Sequence, residues 1–72
     1  MKIKDKISRN PKVVVTLLGS TEYENSENRD LLDALLTLAL RALEGYEGSL
    51  KEFYEYYDQI FDEIEEDTIN PL

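Results

Sequence analysis

The chain has 72 residues, with no cysteine, histidine or tryptophan, and its 16 acidic and 8 basic side chains give a formal charge of −8. That length holds one domain, residues 1–72, with a thin core. The missing residue types exclude a disulfide framework, thiolate or imidazole metal ligation, a thiol nucleophile and a histidine general base.

Residues 1–10 form a basic N-terminal segment. Through position 12 the cations Lys2, Lys4, Lys6, Arg9 and Lys12 face only Asp5. Ile3 and Ile7 stand four apart and share a face if the segment is helical. No apolar stretch follows these charges in the manner of a leader peptide, and none approaches the roughly 20 residues of a membrane span. A cytoplasmic protein without membrane contact is expected.

Asn10-Pro11 is a helix-start signal, a capping side chain followed by a residue pre-set for the first turn. It favours a helix over about 11–18, with Gly19 as the stop. The β-branched run Val13, Val14, Val15 and Thr16 supports a strand instead, although such a strand has no partner in the chain unless two copies pair. Residues 19–29 are a polar connection in which Tyr23 is the one large apolar group.

Residues 30–45 carry apolar side chains around most of a helical circumference. At 100° per residue, Leu31, Leu35, Leu38 and Ala42 form one stripe. Leu32, Leu36, Ala39, Leu40 and Leu43 form another beside it. Asn28 or Asp30 can cap the start and Gly45 can end the helix. So apolar a helix is expected to be covered on two sides. Val13, Val14, Leu17 and Leu18 can cover part of it. Leu32, Leu36, Leu40 and Leu43 are the expected core or dimer face, and a two-fold homodimer would cover what remains.

The short link at 45–48 turns the next helix back antiparallel. Ser49-Leu50-Lys51-Glu52 reads as a capping box opening a helix over about 50–66. Its expected apolar face is Leu50, Phe53, Tyr54, Tyr57, Ile60, Phe61 and Ile64. Residues 67–72 read as a frayed tail. The expected architecture is therefore all-α: two antiparallel helices at about 30–45 and 50–66, with an N-terminal helix or strand at about 11–18, completed by homodimerisation.

From residue 44 onward ten carboxylates face Lys51 alone. Glu52, Glu55, Asp62, Glu63 and Glu66 cluster opposite the apolar face of the last helix, with Tyr56 among them as an exposed aromatic anchor. Acidic residues at this density argue against direct nucleic-acid or anionic-membrane binding, both of which need cations. They suit a basic protein partner, for example a nucleic-acid-binding enzyme whose phosphate site they would occupy. Small acidic helical inhibitors from phages and mobile elements work in that way, and the likeness is one of type. The alternative is a homodimeric assembly module whose leucine-rich helix is the working surface and whose acids only give solubility. No enzyme activity, metal or other cofactor is expected, because no carboxylate pair sits in a pocket-forming context and the acidic run lacks a glycine-centred cation loop.

Overall fold

The computed structural model describes residues 2–64 and 68–71. Four helices follow in chain order: α1 (Ile3–Lys6), α2 (Pro11–Gly19), α3 (Arg29–Glu44) and α4 (Ser49–Ile60). Two short strands, β1 (Thr21–Glu22) and β2 (Asn70–Pro71), pair antiparallel in the register Thr21 with Pro71 and Glu22 with Asn70.

At 11–19 the competition between helix and strand is decided by the cap. The Asn10 side chain accepts a hydrogen bond from the Lys12 N–H at 2.9 Å, and Pro11 takes the first helical position. These end effects outweigh the weak strand preference of three valines, because Val14 and Leu18 also enter the core. Gly19 is the last residue of the helix and keeps a negative φ, so Ser20 takes over the capping, its hydroxyl donating to the Thr16 carbonyl at 2.8 Å.

A left-handed glycine closes α3. Gly45 has φ 83°, its N–H reaches the Ala42 carbonyl at 3.2 Å, and the Tyr46 N–H reaches the Arg41 carbonyl at 3.4 Å. This is a Schellman closure, which consumes two carbonyls that a helix end leaves open. The chain then returns: Ser49 lies against Arg41 at one end of the hairpin, and Asp30 bears on Tyr56 toward the other.

The expected capping box at Ser49 does not form. Ser49 is buried, and its hydroxyl donates to the carbonyls of Tyr46 and Arg41. The Glu52 N–H goes to the Gly48 carbonyl instead. The serine thus serves the open end of α3 rather than the start of its own helix.

The last helix is shorter than its periodicity suggests, ending at Ile60 rather than near 66. Its final turn holds no basic residue, and the sequence beyond it is dominated by carboxylates. Negative charge at a helix C-terminus opposes the helix dipole, and like charges a turn apart repel. Residues 61–64 still complete a turn, which brings Ile64 into the core.

The tail departs most from expectation. Thr68 forms an isolated bridge with Lys2, Ile69 is 1% exposed, and Asn70–Pro71 pairs with β1. A proline is tolerated there because an edge strand need not donate at every position. The all-α expectation therefore gains a two-stranded clasp.

The core comprises Ile3 and Ile7, Val14 and Leu18 of α2, Leu32, Leu35 and Ala39 of α3, Phe53, Tyr57 and Ile60 of α4, then Ile64 and Ile69. Each fully buried large side chain stabilises the fold by roughly 1.5–3 kcal/mol relative to exposure. The isoleucines at both ends of the chain cover a helical hairpin that could not bury itself alone.

Candidate functional site

The polar side of α4 follows from its core side. Phe53, Tyr57 and Ile60 point inward, so Glu52, Glu55 and Gln59 are turned outward, and all three are exposed. Asp62 and Glu63 lie in the turn after the helix and are exposed as well. They continue the same ridge because residues 61–64 keep helix-like hydrogen bonds, from the Phe61 N–H to the Tyr57 carbonyl at 3.0 Å and from the Ile64 N–H to the Ile60 carbonyl at 3.2 Å. Glu66 lies outside the described residues.

Tyr56 is not the exposed anchor expected from the sequence. It is half-buried and packs against the core. Burial is the main cause of its raised phenol pKa, followed by the negative charges of Glu63 and Asp30. Glu63 is two turns further along the same face. Asp30 belongs to the first turn of α3 and was not among the sequence candidates. The antiparallel hairpin is the signal that could have found it, since that geometry sets the start of α3 beside the later turns of α4.

The other flank of α4 is neutralised from within the chain. The Arg9 guanidinium is 3.3 Å from the Asp58 carboxylate and 5.0 Å from the centre of the Tyr54 ring. The Lys4 ammonium stands 4.5 Å from the Phe61 ring centre. On the ridge itself, Lys51 approaches Glu55 only at 4.0 Å, with both side chains well exposed. Such a pair contributes about 0–1 kcal/mol and leaves most of the negative field in place. The described carboxylates form no group of three or more that could hold a metal ion, since the helix splays them outward.

The leucine face divides. Leu32 is fully buried and Leu36 is half-buried against the core, so both are occupied inside one copy of the chain. Leu40 and Leu43 remain 45% and 49% exposed, and Tyr46 in the link after α3 is exposed as well. As expected, α2 covers part of α3 through Val14 and Leu18, with Leu17 half-buried, while Val13 is left outside. The connection after α2 folds back: Tyr23 packs on the core and its hydroxyl donates to the Asp33 carboxylate. Burial, that hydrogen bond and the Asp33 charge push the Tyr23 pKa up to about 12, against a smaller lowering by Arg29.

No family model, curated protein or solved structure matches the chain. The functional reading therefore rests on its own surfaces. None of its described helices is long and apolar enough to cross a membrane.

Proposed function

We propose that this chain is a non-enzymatic interaction protein whose acidic ridge binds the basic, nucleic-acid-binding surface of a partner protein. One observation carries the reading: Glu52, Glu55, Asp62 and Glu63 stand exposed along one ridge, where, among the described residues, the weak Lys51–Glu55 contact is the one ion pair. Among the described residues, Arg9 and Lys4 lie on the opposite flank, against Asp58, Tyr54 and Phe61. Glu52 and Glu55 stand about 4.5 Å apart along the axis, and Glu55 and Asp62 about 10.5 Å, on the scale of one to two phosphate steps of a nucleic-acid strand. Tyr56, half-buried at the core-side edge of the ridge within the fields of Glu63 and Asp30, adds aromatic surface of the kind that anchors interfaces.

The test is capture of a partner from host lysate by the immobilised protein, at low and high salt, followed by a competition assay on the captured protein. A nucleic-acid-binding protein that is released by salt and displaced by its own DNA or RNA supports the reading. The Glu52→Lys, Glu55→Lys, Asp62→Lys variant should capture none of it. Undiminished capture by that variant overturns the proposal.

The exposed pair Leu40 and Leu43 favours a second reading, a homodimer joined through α3. Replacing Leu40 with Asp should then convert the solution mass from two chains to one. A mass of one chain for the unaltered protein removes that reading.

A further inference from the structure

We infer that the groove between the end of α1 and the outer face of α2 is a docking site for an acidic amphipathic helix of a protein partner. The groove has a volume of about 440 Å³ and is lined by Lys6, Lys12, Val13, Thr16, Leu17 and Ser20. Four of these belong to α2 and Ser20 caps it; counted from Lys12, the five stand at the first, second, fifth, sixth and ninth positions of one helical face. That face runs for about 12 Å, the length of two turns of a docked helix.

The floor is apolar. Val13 is 39% exposed and Leu17 half-buried. The hydroxyls beside them are already used, Thr16 donating to the Lys12 carbonyl at 2.9 Å and Ser20 to the Thr16 carbonyl. The rim is cationic. Among the described residues neither Lys6 nor Lys12 pairs with a carboxylate, although the chain carries 16. Long lysine stems lie along apolar surface while their ammonium groups stay at the edge, so the groove presents apolar contact inside and positive charge outside.

Charge complementarity selects the occupant. Carboxylates flanking a short apolar stripe match this groove, in the helix-in-groove mode where anchors recur every three or four residues. The net −8 does not forbid it, because fields at the surface decay within about 8 Å at physiological salt and the first twelve residues are locally cationic. A nucleic acid would leave the apolar floor unused. An anionic bilayer would meet the repulsion of the whole acidic body.

The test uses a fluorescein-labelled amphipathic helix of leucine and glutamate as probe, read by anisotropy, with a glutamine-for-glutamate copy as control. Binding of the glutamate probe alone is expected, with amide shift changes in the protein concentrated at 6, 12–13 and 16–20. The Lys6→Glu, Lys12→Glu double variant should weaken binding at least about tenfold, the size expected for two lost rim charges. Val13→Asp should weaken it with the lysines intact, and Glu47→Gln in the link before α4 should leave it unchanged. All of these positions are exposed, so an unaltered melting temperature checks the fold of each variant. Equal binding of the two probes, unchanged binding by the double variant, or amide shifts centred elsewhere would overturn the proposal. It would be overturned equally by binding to phosphatidylglycerol vesicles in preference to the probe, or by groove-dependent self-association that excludes the probe.

Discussion

Tyr54 and Tyr56 are two positions apart on α4 and are turned away from each other by about 200°. Both are half-buried against the same core, yet their surroundings are opposite in sign. Tyr54 lies under the Arg9 guanidinium, with Asp58 as the third member of the cluster. Tyr56 lies among the carboxylates of Glu63 and Asp30. The difference shows that a net charge of −8 describes neither flank. Arg9 and Lys4 of the N-terminal segment lie on one side of the helix, and on the other side Lys51 is the one described cation paired with a ridge carboxylate.

The strongest way to break this contrast is to remove a fully buried side chain of α4 on which the helix packs. Phe53 is fully buried, with its ring centre 5.7 Å from that of Tyr54 and 6.1 Å from that of Tyr57. Phe53→Ala should cost about 3–5 kcal/mol in urea unfolding, enough to leave a small domain largely unfolded.

Alkaline titration comes next in size. Tyr23, Tyr56 and Tyr57 all hold their protons to higher pH in the fold than in the open chain. Below pH 10 both states keep these protons and stability is flat. Above pH 10 the unfolded chain ionises first, so stability falls as pH rises toward the Tyr23 value of about 12. With solvent screening allowed for at its partly exposed site, the Tyr23 share should be about 1 kcal/mol. Melting temperatures from neutral to strongly alkaline pH, repeated with Tyr23→Phe, would show a flatter decline in the variant if this is correct.

The smallest effects should sharpen the contrast itself. Arg9→Ala removes a cation from the paired flank and should lower stability by about 0.5–1 kcal/mol. Glu63→Gln removes a carboxylate from the unpaired flank and should change stability by no more than about 0.5 kcal/mol, toward stabilisation. Equal losses from the two variants in thermal unfolding would show that the flanks are electrostatically alike.

Local signals in the sequence carried the parts of the fold that local chemistry decides. The Asn10-Pro11 start, the Gly45 stop and the spacing of Phe53, Tyr57, Ile60 and Ile64 are each settled within a few residues. What failed was non-local. Ser49 caps a helix end eight residues back, because burial brought its hydroxyl to the Arg41 carbonyl. Strands of two residues leave no periodicity to detect, so the pairing of 21–22 with 70–71 was invisible until both ends were placed. The ridge of Glu52, Glu55, Asp62 and Glu63 was readable from spacing alone. Its aromatic centre was misplaced, because the exposure of Tyr56 depends on how α3 lies against α4, and the Asp30 contribution depends on the same packing.

The clasp of Lys2 with Thr68 and of β1 with β2 also sets an order of events in time. The α3–α4 hairpin joins neighbours in sequence and needs only a short loop to close. The clasp joins segments from opposite ends of the described chain, and closing so long a loop costs entropy before any contact offsets it. Until the clasp closes, the place of Ile69 beside the core stays open to water. Folding is then expected to finish in a separate late step, and a substitution of Ile69 should speed unfolding far more than it slows the first collapse.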